Sequence, residues 1–264
     1  MRKSLVGLMV LMPCVPFLVL ALTNGCSQAK APHDRARKPA PSRTAGQTPS
    51  EALLKAIEAH DFDAVRMALR DGADPNGAGE RGYRVLGHAI LFDDPAIARE
   101  LIKAGADVNA RTSGGGDLPM LLLAANFKRT EVAKILLLAG ADPRSRSRDG
   151  LDALGVAALV DAASICEPLV LAGADINSWS PWPRSIYGGQ TSTSQPRRGR
   201  TPLMIAASLG HLNTVVALLS SGADEKLRNE RGESALDLTR EAKNPVERIR
   251  FYLSKPSLLR PAGR

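Results

Sequence analysis

Aromatic residues are scarce: five Phe, three Tyr and two Trp amount to 4% of a 264-residue chain. A core of stacked rings is excluded, and burial must rest on aliphatic side chains and alanine, which belong to the 44% hydrophobic fraction. Histidine is equally thin, with His33, His60, His88 and His211 scattered along the chain. None stands at metal-ligand spacing from Cys, Asp or Glu, so neither a metal nor a cofactor is expected. Gly114-Gly115-Gly116 follows Ser113 at an expected hairpin tip, not between a strand and a helix, which disfavours a phosphate cradle. No residue stands out as a nucleophile or a general base, and an enzyme is not expected.

What the chain has is repetition. Gly-Ala-Asp occurs five times, at Gly72-Ala73-Asp74, Gly105-Ala106-Asp107, Gly140-Ala141-Asp142, Gly173-Ala174-Asp175 and Gly222-Ala223-Asp224, at intervals of 33, 35, 33 and 49 residues. Sixteen residues before each of these glycines stands an alanine: Ala56, Ala89, Ala124, Ala157 and Ala206. A small side chain recurring there lets two helices approach closely. The fifth unit is the fullest, with Gly199-Arg200-Thr201-Pro202-Leu203-Met204-Ile205-Ala206-Ala207-Ser208-Leu209-Gly210-His211, then Val215-Val216-Ala217-Leu218-Leu219. Thr201 caps a first helix, Pro202 suits its first turn, and Gly210 reverses the chain into a second.

This pattern resembles the ankyrin repeat, whose period is near 33 residues. The resemblance implies an all-α ankyrin-repeat solenoid of helix-turn-helix units joined by projecting β-hairpin loops, covering 48–254 with five units and a C-terminal cap. Thr48-Pro49-Ser50-Glu51 has capping-box spacing and opens the array. Val246, Ile249 and Leu253 give the last helix an apolar face. Residues 255–264 are expected to be a disordered tail. Met204 stands where the family has His. Arg84-Val85-Leu86-Gly87 and Asp152-Ala153-Leu154-Gly155 replace the Thr-Pro-Leu-His signature, so poorer caps are expected in the second and fourth units. Pro168 predicts a kink or an early break in the fourth unit's second helix. The aspartates of the tripeptide are expected to hydrogen-bond local amides.

The N-terminal segment is of another kind. Arg2 and Lys3 precede 18 uncharged residues, Leu5 to Leu22, and then Gly25-Cys26-Ser27, which reads as an export signal. It is similar to a bacterial lipoprotein signal over 1–25, with Cys26 lipidated as the new N-terminus and attached to the membrane; Thr23 departs from the usual Leu. An uncleaved anchor and cleavage near Ala29 are the alternatives. Ser27 after the cysteine implies the periplasmic side of a Gram-negative outer membrane. Residues 26–47 form a flexible basic, Pro/Ala-rich tether. Signal and tether account for most of the net charge of +8, and nucleic-acid binding is not expected. Cys14 leaves with the signal, Cys26 carries lipid, and Cys166 falls at an apolar core position, so no disulfide is available.

Binding is better supported than catalysis. The long fourth interval places an insertion at 178–199 that holds Trp179, Trp182, Arg184, Tyr187, Arg197 and Arg198. Trp, Tyr and Arg dominate interface energies, although Trp179 and Trp182 could equally fold back onto the repeats. Arg81, Arg111, Arg146 and Arg148 fall at successive hairpins and would line one edge with positive charge, which steers an acidic partner. The expectation is a monomeric, exported, non-enzymatic protein that binds a partner protein through hairpin tips and insertion, as an inhibitor or immunity-type protein. An envelope enzyme or enzyme accessory with a site in the insertion, and a tethered scaffold, are the alternatives.

Overall fold

The computed structural model describes residues 48–79, 83–112, 117–180, 199–242 and 246–259. Five helix pairs follow one another: α1 (Pro49–Glu58) with α2 (Phe62–Arg70), α3 (Val85–Leu91) with α4 (Pro95–Lys103), α5 (Met120–Asn126) with α6 (Thr130–Leu138), α7 (Ala153–Val160) with α8 (Ala163–Leu171), and α9 (Pro202–Leu209) with α10 (Leu212–Ser220). A cap follows, made of α11 (Ala235–Leu238), a 3-10 turn at Thr239–Glu241 and α12 (Glu247–Ser254). Another 3-10 turn, at Pro256–Leu258, continues past α12, where the sequence predicted a tail without structure. First helices stack on first helices and second on second, giving a two-layered solenoid.

Helices of seven to ten residues are marginal alone, so packing must hold them. The composition of each layer fits its place. Every residue of α5 from Met120 to Ala125 is buried, as is α7 from Ala153 to Ala158; a helix apolar all round belongs between neighbours. The outer layer is one-sided: α4 buries Ile97, Ala98 and Leu101 and leaves Arg99 and Lys103 in solvent. Ala56 is 5% exposed and Ala89, Ala124, Ala157 and Ala206 are fully buried, as close helix approach requires. Cys166 is fully buried beside them in register with Val65, Ala98, Ala133 and Val215, and burial pushes its thiol up to about 12.

Helix ends match some expectations and correct others. Thr48 and Glu51 form the capping box, and Thr201 accepts from the Met204 amide at 3.3 Å. Arg84 caps nothing with its side chain, as expected. The fourth unit is not poorly capped: Asp152 accepts from the Gly155 amide at 2.8 Å, because a carboxylate serves an N-terminus as well as a hydroxyl does. Nor does Pro168 end its helix. Helix α8 keeps the nine residues of its counterparts, and the carbonyl that Pro168 cannot satisfy belongs to Ser164, an exposed position open to water.

The tripeptide turns are alike in all five units. Gly72, Gly105, Gly140, Gly173 and Gly222 have φ between 89° and 98°, the left-handed region that glycine enters without strain. Asp74, Asp107, Asp142, Asp175 and Asp224 each accept from the amide two residues on, at 2.8 to 3.0 Å. The turns between paired helices hide a second left-handed position. Gly210 holds it in the fifth unit, but His60, Asp93, Lys128 and Asp161 hold it in the others, with φ of 52° to 58°.

Candidate functional site

Four hairpins project from one edge of the stack, each closed by a single antiparallel bridge: Ala78 with Arg84, Arg111 with Pro119, Arg146 with Asp152, and Ser180 with Arg200. Their bases are tied from unit to unit by a residue the sequence reading did not single out. Asn76 donates to the Gly105 carbonyl at 2.9 Å and accepts from the Asp107 amide at 2.7 Å. Asn109 repeats this with Gly140 and Asp142, at 3.2 and 2.8 Å. Asn177 accepts from the Asp224 amide at 2.9 Å. Where the third unit substitutes Arg144, the guanidinium donates to the Gly173 carbonyl at 3.2 Å but offers no acceptor. The signal was present in the sequence as an Asn two residues after the repeated Asp.

The described arginines of the hairpin edge do structural work with one side of their guanidinium groups. Arg111 donates to the Asp117 carboxylate at 2.8 Å, to the Asp117 carbonyl at 2.7 Å, and across to the next hairpin at the Arg146 carbonyl, 3.1 Å. Arg146 does the same one step on, donating to the Gly150 carbonyl at 2.7 Å and to the Trp179 carbonyl at 3.0 Å. Three consecutive hairpins are thus linked by two arginines, whose side chains stay about two-fifths exposed, 40% and 43%. The Arg111 hydrogen bond holds the Asp117 carboxyl below its ordinary range, with the charge of Arg148 adding to the effect. Arg148 itself is exposed.

Trp179 is half-buried and packs against the core, and its neighbours Ser178 and Ser180 are buried. Ser180 and Arg200 exchange amide-to-carbonyl bonds of 3.1 and 2.9 Å, closing the neck of the insertion. The Arg200 side chain, 8% exposed as a residue, pairs with Glu241 at 2.8 Å and anchors that neck to the cap. At the first hairpin Gly79 lies against His88: a Cβ there would come within 2.3 Å of the ring nitrogen, so only glycine fits. Arg81, Trp182, Arg184, Tyr187, Arg197, Arg198 and Cys26, with segments 1–25 and 26–47, lie outside the described residues.

At the far end of the first helices runs a row of half-exposed apolar side chains at equivalent positions: Phe92, Phe127, Val160 and Leu209, with Leu91 and Leu159 beside them. Among the described residues no cluster of His, Cys, Asp and Glu could hold a metal ion, and no helix is long and apolar enough to cross a membrane. A depression in the cap is lined by Leu236, Asp237, Arg240 and Arg250, but Arg240 is engaged by Glu233, and Asp237 by Arg228.

A stack of helix pairs with tied hairpins along one edge defines a repeat solenoid, an architecture that offers extended surfaces. The chain's fold is that of an ankyrin-repeat solenoid, and a family model described as ankyrin repeats (3 copies) matches residues 121–230. The ankyrin repeat domain of human ASB11 superimposes with a TM-score of 0.59 at 22% identity, over 77% of this chain and 81% of that one, which shows the shared fold. Neurogenic locus notch homolog protein 4 of Homo sapiens is 34% identical over 47% of this chain and 5% of its own length. A putative ankyrin repeat-containing protein of Treponema pallidum (strain Nichols) is 31% identical over 43% of this chain and 37% of its own. The chain therefore spans well under half the length of these two relatives. Ankyrin repeat domains are generally protein-binding modules and typically non-catalytic.

Proposed function

We propose that this chain binds a partner protein along its hairpin edge, with the insertion between the fourth and fifth units contributing Trp182, Arg184, Tyr187, Arg197 and Arg198, and Arg81 extending the edge at its first hairpin. The observation that supports this reading is the chain of arginine bonds from Arg111 to Arg146 to Trp179. Hairpins fixed to one another lose little freedom on binding, and pre-organisation of this kind raises affinity without adding contacts. The exposed sides of Arg111, Arg146 and Arg148 supply positive charge that favours an acidic partner surface. Export through the segment 1–25, lipid on Cys26 and an outer-membrane location on the periplasmic side belong to the same proposal, and inhibition of the partner is its sharper form.

The test is capture of partners from the native envelope by the full chain, beside a variant carrying Trp182→Ala and Tyr187→Ala. A stoichiometric protein retained by the parent and lost from a variant of unchanged melting temperature supports recognition by the insertion. Equal retention by both would move the site away from it, and no stoichiometric protein for either would count against protein recognition. Labelling with a lipid precursor, present in the parent and abolished by Cys26→Ser, tests the anchor separately.

A further inference from the structure

The outer side of the second-helix layer changes character halfway along. At the last position of the five second helices stand Arg70, Lys103, Leu138, Leu171 and Ser220. Leu138 and Leu171 are 89% and 71% exposed, more than any other large apolar side chain among the described residues. Isolated surface leucines are ordinary. These two share a register position on the adjacent helices α6 and α8, so they lie side by side.

One further register pair lies beside them: Lys134 on α6 corresponds to Glu167 on α8. Lys134 is held 2.8 Å from Glu131 along its own helix, which keeps its ammonium over this face, and Glu167 is exposed. Each pair is of a kind that attracts: leucine with leucine, cation with anion. A two-fold axis parallel to α6 and α8 and midway between them sets every residue of α6 opposite its register partner on α8 of a facing copy. Leu138 then meets Leu171 of the second copy and Lys134 meets Glu167, each contact occurring twice.

We propose that α6 and α8 form a self-complementary contact through which two copies of this chain associate. The flanking units do not oppose it, since Lys103 of the second unit faces the neutral Ser220 of the fifth. The patch of four side chains is small beside the roughly 800 Å² per partner of a stable interface, so the dimer is weak and depends on concentration. It departs from the monomer expected from the sequence. It also lies on a different face from the hairpin edge and stands independently of that reading.

Sedimentation equilibrium of the full chain, over a range of concentrations, tests it with three charge variants. Lys134→Glu and Glu167→Lys each put like charges opposite one another twice per dimer and should weaken association about tenfold. The doubly exchanged protein restores opposite charges and should regain the parent's affinity. Leu171→Asp should abolish the dimer while leaving the melting temperature unchanged, since that side chain is mostly in solvent. A parent that stays monomeric throughout, a dimer indifferent to all four variants, or a double exchange that fails to restore association would each overturn the proposal.

Discussion

Replacing Arg144 with Asn should stabilise the protein. The first two junctions each have an Asn whose amide donates to a glycine carbonyl and accepts from the next unit's aspartate amide. Arg144 supplies the donor alone, and the Asp175 amide has no acceptor among the described residues. Arg144 follows Pro143 as Asn76 follows Pro75, so Arg144→Asn asks nothing new of the backbone. It keeps one bond and adds one. A net hydrogen bond contributes about 0.5 to 1.5 kcal/mol, and solvent exposure argues for the lower half of that range. For a folded region of this size that is about 1 to 4 °C in melting temperature. Asn109→Ala should act oppositely, losing both bonds at its junction and about 1 to 2 kcal/mol. Thermal unfolding followed by circular dichroism gives the midpoints, and hydrogen exchange gives the local readout: the Asp175 amide should exchange quickly in the parent and slowly in Arg144→Asn. An unchanged or lowered midpoint in Arg144→Asn, with the Asp175 amide still unprotected, would refute the reasoning.

Other outcomes follow from the same geometry. Gly222→Val meets nothing within 4 Å, so its effect is pure backbone strain at φ 98°; we expect a loss of about 2 kcal/mol, read as a lower urea midpoint with unchanged slope. Lys128→Gly should gain about 0.5 to 1 kcal/mol in the same assay, because an exposed lysine at φ 58° gives way to a residue without that penalty. The cap should loosen first in acid. The Ser234 amide and hydroxyl hold the Asp237 carboxyl below its usual range, and the Asn229 side chain does so for Glu233. Carboxyls depressed in the folded state stabilise it above their unfolded values, near pH 4, and that contribution is lost as pH falls through the folded ones. Hydrogen exchange should show α11 opening below pH 4 before α5 or α7, and Asp237→Asn should remove most of that dependence.

Much of the fold was legible because it rests on local conformation that particular residues force. The five glycines mark left-handed turns, the five alanines mark helix contacts, and Thr48 with Glu51 marks the start of the array. Judging the fourth unit against a threonine signature undervalued Asp152, whose carboxylate caps by the same hydrogen bond. The left-handed turns at His60, Asp93, Lys128 and Asp161 were not read from the sequence: Asp and His enter that region more readily than most residues, but only at Gly210 does the residue type demand it. The roles of Arg111 and Arg146 were half visible: their positions at hairpins could be read, but their partners are backbone carbonyls of the next unit, which carry no letter in the sequence. Trp179 was read with two outcomes open, and its ring takes the one in which it packs on the repeats.

The neck formed by Ser180 and Arg200 has a consequence for how this protein can vary. Two hydrogen bonds close it, and the Arg200–Glu241 pair fixes it to the cap, whatever lies between. The neck at Ser180 and Arg200 closes a longer segment than the bridge of Arg146 with Asp152 does, and this raises the entropic cost of closure by only about 1 kcal/mol, since the cost grows with the logarithm of length. Each further doubling of the chain beyond the neck costs the solenoid only about 0.6 kcal/mol, and this hairpin is where a lineage could trade one inserted sequence for another while inheriting the same scaffold.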